Sequence, residues 1–462
     1  MEEIKNILIN GCDERIFLRK ETNANKYHLN PMEYEGLFHR GSCTCGTLTA
    51  DGFDCAVGFY DKIKKTEYQQ IIDNQTNRLK SLLDSGETDF DVFYGPSGSD
   101  MMYLPLLFQA MLHSGKEIIN IVSCPEELGS GSNLAAEGKF YSEWNQFGNQ
   151  IPIGECVSHS VISKVYSLAA RKNSGHIEKR SFSIKKIIGE HPNLPIVGNL
   201  VFGSKSGIKD DLKIIDEVTE DIMWVVDMCQ FRTDTELIHS LLDKGVMVMV
   251  TGSKFYQSPP FCGALLVPKV WSDLLMSQPV EALKGYEKIF SVFDFPVKFE
   301  NIRKLMANKK NIGLRMRWEI AISEMEKYQS ISSDVTNALI RRWNQVVTGR
   351  LAQSDYFRLM PNMELTNDSI VSFMVLFKDK PLNHDQLKEL FDFLVLSKHE
   401  GLNGFHKIFL GQPVKYGNKS FIRLAIGSYS VRRLLEKPKF DPYNDLKLIE
   451  IIENSVEKLF SK

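Results

Sequence analysis

The sequence predicts an α/β protein: a mainly parallel sheet covered by helices on both faces, followed by a smaller α+β domain. Two observations carry this. Between about residues 68 and 268, short apolar β-branched runs alternate with amphipathic stretches of helical length, the pattern that right-handed crossovers turn into a parallel sheet. After about Phe290 the texture changes to one long helical stretch, then strands and helices in mixed order. A chain of 462 residues exceeds what one core usually supports. The expected division is a large domain over 65–295 and a small one over 296–462, with residues 1–64 an irregular segment packing across them.

The elements follow in order. TEYQQIIDNQTNRLKSLLDSG reads as an amphipathic helix, FDVFYG as a strand, SDMMYLPLLFQAMLHSG as a helix and KEIINIVSC as a strand. The alternation resumes with the strand LPIVGNLVFG, the helix DDLKIIDEVTEDI, the strand MWVVDM, the helix DTELIHSLLDKG, the buried strand from Val246 to Thr251 and the strand GALLVP. The C-terminal part offers a helical stretch from IGLRMRWEIAISEME through NALIRRWNQVVTGRLAQ. It is followed by the strand SIVSFMVLF, the helix HDQLKELFDFLVL, the strands KIFLGQPV and SFIRLAIGS, and a last helix.

Composition narrows the function. A formal net charge of −2 leaves no electrostatic footprint for nucleic acid or an anionic membrane. The acidic N-terminus MEEIKNILINGCDERIF has no apolar core of a signal peptide, and no window is apolar over the length of a span, so a cytoplasmic protein is expected. Eight cysteines, sparse and irregular, do not form a disulfide framework. Cys43 and Cys45 are too isolated from other ligands to imply zinc, and no metal is expected.

In open parallel sheets the chemistry sits at the carboxyl ends of strands. Three such ends are unusual here. After FDVFYG, the turn residues Ser97, Gly98 and Ser99 stand where the free N–H groups of the next helix can cradle a phosphate. The spacing is not that of a Walker loop, and Ser at a helix start is otherwise an ordinary cap. Asp227 ends an apolar strand, a costly place for a carboxylate without a partner, and Gln230 follows across the turn. Thr251, Ser253 and Lys254 end VMVMVTGSK. An anion cradle, a carboxylate and a strand-end lysine together meet the needs of pyridoxal 5'-phosphate: a seat for its phosphate, an acid partner for its pyridine nitrogen and an amine for its aldehyde.

The order GPSGSD, VVDMCQ, then TGSK before GALLVP resembles the fold-type I pyridoxal-phosphate enzymes, most closely the class V aminotransferase and cysteine desulfurase branch. The resemblance runs from about residue 60 to 440. It implies a mainly parallel seven-stranded-type sheet, a smaller C-terminal domain and a homodimer. It also implies that Lys254 forms the Schiff base, Asp227 pairs with the pyridinium nitrogen and Gln230 bonds the phenolic oxygen. Ser97, Gly98, Ser99, Thr251 and Ser253 would hold the phosphate, and Arg423 in SFIRLAIGS would hold the substrate carboxylate. Lys205 in LVFGSKSG is a rival Schiff-base lysine, but it precedes Asp227, against the family order.

Two departures shape the function. Where family members commonly stack a ring on the cofactor, this chain has SCPEELGSGSN, so Glu126 or Glu127 would bind a substrate ammonium, act as a base, or lie on a loop surface. No cysteine follows Cys262, which removes the mobile thiolate a desulfurase needs. The expectation is an aminotransferase acting on an amino acid or small amine, with a β- or γ-elimination or replacement lyase as the alternative. A non-catalytic phosphate- or nucleotide-binding protein on the same scaffold is the alternative of another class. Arg40 is expected at the entrance or in a plain loop. Arg315 and Arg317 would reach an anionic substrate group or pair with Glu319 and Glu324 on their own helix.

Overall fold

A computed structural model describes residues 2–41, 46–83, 89–361, 368–416 and 419–461. Its strands are β1 (Leu37–Arg40), β2 (Phe90–Gly95), β3 (Glu117–Ser123), β4 (Ile162–Leu168), β5 (Ile196–Val201), β6 (Ile222–Asp227), β7 (Met247–Thr251), β8 (Gly263–Pro268), β9 (Phe357–Leu359), β10 (Ile370–Phe377), β11 (Lys380–Pro381), β12 (Lys407–Tyr416) and β13 (Lys419–Ala425). Seven of them form one sheet in the order β2-β8-β7-β6-β5-β3-β4. Only β8 runs against its neighbours.

The central strands are buried on both faces, as a sheet with helices above and below requires. Their continuous apolar character follows from that burial, which is why they are legible as strands. The second sheet has the order β1-β12-β13-β10-β11, with β9 on β10. Strand β1 comes from the N-terminal segment and pairs in parallel with β12, Leu37 opposite Lys407.

Several elements depart from the sequence reading. The first 64 residues are less irregular than expected: they contain the helices Glu2–Leu8 and Ala50–Ile63 besides β1. Two glycines weaken the helical signal of Ala50–Ile63. One of them, Gly52, packs so closely that a Cβ would lie 3.2 Å from Ile320 Cγ2 on the helix Ile312–Gln329. Strand β4, ISKVYSL, is a half-exposed edge whose polar residues hide its period. The helix Ser181–Glu190 is likewise additional, whereas DDLKIIDEVTEDI contributes only the short helix Ile214–Glu217. The long C-terminal helical stretch is two helices, Ile312–Gln329 and Ser333–Ala352. No helix among the described residues is long and apolar enough to cross a membrane.

Arg315 and Arg317 are fully buried and reach neither a cavity nor their expected partners. Arg317 donates to the backbone carbonyls of Phe261, Asn10 and Gly11 at 2.8, 2.9 and 3.0 Å, tying the N-terminal segment to the core. Arg315 lies 4.2 Å from the centre of the Tyr94 ring. Glu319 pairs instead with Arg78, and Glu324 with Arg432, each at 2.7 Å. Helical spacing brought the charges near one another, but the neighbouring elements chose the partners.

Candidate functional site

The carboxyl ends of β2, β6 and β7 and the loop after β5 converge on one small cavity of about 40 Å³. Its wall includes Ser97, Gly98, Ser99, Glu127, Lys205, Asp227, Gln230, Thr251, Ser253 and Lys254. All eight residues expected to hold the cofactor therefore meet in one place. The doubly wound topology brings them together although they are spread over more than 150 positions of the chain.

The turn after β2 is built as a capped helix start. Ser97 caps the helix Gly98–Met101, and Asp100 closes a capping box by accepting the Ser97 N–H at 2.8 Å. The ordinary-cap reading of Ser97 thus holds for its own N–H and hydroxyl, both of which Asp100 accepts. The N–H groups of Gly98 and Ser99 lie in the first turn, where no acceptor exists within the helix. A Cβ on Gly98 would stand 2.7 Å from Cys229 Sγ, so the turn needs glycine to approach the β6 end.

Asp227 ends β6 and accepts the Cys229 N–H at 2.8 Å, which fixes its turn. Among the described residues no cation pairs with it. Gln230 is buried and accepts from Arg232 Nε at 3.2 Å. Thr251 donates its hydroxyl to the Cys229 carbonyl at 2.8 Å, locking the β6 and β7 ends together. Burial pushes the Cys229 thiol well up and Asp227 adds to this, while the charge of Lys254 opposes it.

Lys254 follows β7 by the turn Gly252-Ser253. A Cβ on Gly252 would sit 2.3 Å from Ala321 Cβ, so the helix Ile312–Gln329 packs directly on this turn and holds it. Lys254 lines a second, larger cavity of about 550 Å³ as well, whose wall includes Phe38, Arg40, Leu48, Phe405 and Leu434. Arg40 there makes a two-pronged contact with Asp445 at 2.6 and 2.9 Å.

The two glutamates separate. Glu127 is 3 % exposed and accepts from the Ser204 and Ser206 hydroxyls and the Ser206 N–H. Its other oxygen, Oε1, has no hydrogen bond and stands 3.5 Å from Arg171 Nε. Glu126 instead accepts the Ala170 N–H at 3.2 Å and is not on the cavity wall.

Arg423 is not on the wall either. It is 2 % exposed and donates to the backbone carbonyls of Lys205 and Gln412 at 2.9 and 3.2 Å. Lys205, the rival lysine, does share the wall with Lys254. Two wall residues, Arg15 and Cys229, escaped the sequence reading; the pair Asp13 and Arg15, two apart in GCDER, was the available signal. Cys43 and Cys45 lie outside the described residues, and no cluster of three metal-ligating side chains occurs among those described.

No protein-family model and no curated relative matches the sequence. Solved structures do. Pyridoxamine-pyruvate aminotransferase from Mesorhizobium loti is similar over 93 % of this chain and 94 % of its own, with TM-score 0.57 and 9 % identity. Ureidoglycine-glyoxylate aminotransferase from Bacillus subtilis covers 92 % and 94 %, with TM-score 0.56 and 12 % identity. The cysteine desulfurase CsdA from Escherichia coli covers 91 % and 95 %, with TM-score 0.56 and 14 % identity. At such identities the likeness establishes the fold. The chain has the fold-type I architecture shared by aminotransferases and cysteine desulfurases, as the order of its motifs implied.

Proposed function

We propose that the protein is a pyridoxal-phosphate-dependent enzyme acting on an amino acid or related small amine, with transamination as its reaction. The observation that carries this reading is that Lys254, Asp227 and the Ser97–Ser99 turn line one cavity at the carboxyl ends of the parallel strands. The donor set fits the group. Gly98 and Ser99 offer N–H groups that no described residue accepts, Asp227 offers a carboxylate that no cation among the described residues pairs with, and Lys254 offers a primary amine.

When bound, the cofactor would supply an electron sink for a carbanion next to the amino group. The protein residues do the rest. Lys254 would hold the group covalently, and after its release would take up and return the proton at the substrate α-carbon. Asp227 would keep the pyridine nitrogen protonated, and Gln230 would donate to the phenolic oxygen. Glu127 stands on the cavity wall where the stacking ring is expected, its carboxylate held by Ser204, Ser206 and Arg171. The substrate would reach Lys254 from the larger cavity. With no cysteine after Cys262, persulfide chemistry on a C-terminal loop is not part of this reading. A homodimer in the cytoplasm is proposed with it.

The test is the absorbance spectrum of the purified protein and of Lys254→Ala, each supplied with pyridoxal phosphate, before and after borohydride. A visible band that becomes covalently trapped in the wild type alone supports the reading. A wild type that stays colourless would end it and return the GPSGSD turn to a nucleotide screen.

A further inference from the structure

Among the described residues lining the smaller of the two cavities that Lys254 borders, Arg15 carries the guanidinium. It comes from the N-terminal segment, where Asp13 caps the turn Glu14–Ile16 and accepts the Arg15 N–H at 3.0 Å. The same carboxylate takes Arg15 Nε at 2.7 Å and Nη2 at 2.6 Å. The guanidinium also lies 5.5 Å from the Tyr141 ring centre and 4.8 Å from that of Phe261. It is 5 % exposed, so one edge is gripped and the plane is held between rings.

The other edge is not used. Arg15 Nη1 makes no hydrogen bond among the described residues. Burial works against the charge, but Asp13 outweighs it and keeps the guanidinium firmly protonated. Tyr141 connects this cation to the phosphate turn: its hydroxyl stands 3.2 Å from Ser97 Oγ and donates to Asp100 Oδ1 at 2.8 Å. A buried, rigid arginine with a spare edge on a cavity wall is built to meet an oxyanion.

We propose that Arg15 binds an oxyanion in the smaller of the two cavities that Lys254 borders. Arg423 is not on the wall of that cavity and donates to the backbone carbonyls of Lys205 and Gln412. The oxyanion has two sources under the reading above, the phosphate of pyridoxal phosphate or the carboxylate of an amino acid. The identity of the source rests on that reading; the anion site itself does not.

The experiment titrates the purified protein with inorganic phosphate, following the thermal midpoint, and compares Arg15→Gln with the double variant Asp13→Asn/Arg15→Gln. The double variant removes both charges, so that no buried carboxylate is stranded if the single variant folds poorly. Phosphate is expected to stabilise the wild type, with its affinity reduced about 10- to 100-fold in the variants. Parallel titrations use pyridoxal phosphate against pyridoxal, and an amino acid against its decarboxylated amine. Loss confined to the phosphorylated probes assigns the phosphate; loss confined to the carboxylate-bearing probe assigns the carboxylate. Unchanged affinity for every anion in a folded double variant overturns the proposal. The phosphate arm needs no covalent linkage to Lys254, so it fails or succeeds separately from the proposed function.

Discussion

Gly98 and Cys229 meet across the floor of the cavity: a methyl group on the Gly98 Cα would stand 2.7 Å from Cys229 Sγ. The contact joins the helix start after β2 to the turn after β6, the two elements that bring the anion cradle and Asp227 together.

Gly98→Ala is therefore expected to destabilise the protein by about 1–3 kcal/mol through overpacking and to weaken phosphate binding at the turn. Adding Cys229→Ala removes the sulfur and should restore most of both. Urea denaturation and phosphate titration of the single and double variants check this; a double variant no better than Gly98→Ala would show that the contact is not the cause.

Glu127 and Arg171 form a buried pair, their side chains 2 % and 0 % exposed. Removing the carboxylate takes an acid partner from a buried guanidinium and leaves the Ser204 and Ser206 hydroxyls without their acceptor, so Glu127→Ala should cost about 1–3 kcal/mol of stability, while Glu127→Gln keeps the serine hydroxyl contacts and should cost less. Replacing both members, Glu127→Gln/Arg171→Met, is expected to recover part of the loss. Strictly additive losses in denaturant titrations would mean that the two side chains are uncoupled.

Burial pushes the Asp100 carboxyl from its ordinary 3.8 up to about 6, with the hydroxyl of Tyr141 pulling it back down and the charge of Asp13 adding to the rise. A folded-state value above the unfolded one means that the folded protein holds the proton longer. Stability is thus lost as pH rises from 3.8 to about 6, and the penalty is complete above that. Asp100→Asn removes the titration, so the stability of the wild type minus that of the variant should fall across this window. Carboxylates that do not interact with Asp100 cancel in the difference. A flat difference would show that Asp100 titrates normally.

Cys12, Cys124, Cys229 and Cys262 are buried, and burial raises each thiol. Cys156 is exposed. Brief alkylation followed by peptide mass mapping should modify Cys156 before those four, with turnover unaffected. Rapid labelling of Cys229 or Cys262 in the folded protein would contradict the described packing around the cavity.

Much of the fold was legible because burial on both faces leaves a plain mark. The runs that end at Asp227 and Thr251 are apolar nearly throughout, and their strand length and β-branched residues mark them as central strands of a covered sheet. Strand β4 was not legible, since an edge keeps one face wet and mixes Lys164 and Ser167 into its period. The helix Ala50–Ile63 was hidden for a different reason: Gly52 serves a close helix contact and lowers the local helical preference.

In the site, the residues at strand ends could be found, because a polar side chain at the end of an apolar run needs a reason. Arg15 was missed, since its one local mark, Asp13 two residues before it, stands in a segment that carries no period and does not say which way the pair faces. For Arg423 the resemblance matched a position in β13, but its contacts with the carbonyls of Lys205 and Gln412 depend on where those distant groups lie.

By itself the sequence determined the α/β architecture and the order of the strand-end motifs, both of which are written in local runs and their succession. Only the tertiary structure decided that Glu127 faces the cavity while Glu126 caps a strand end, that Arg315 and Arg317 are sealed in the core, and that the N-terminal Arg15 reaches the cavity wall. Those outcomes are settled by which distant groups can satisfy a buried charge. Sequence neighbours cannot supply that information, because the partners arrive from elsewhere in the chain.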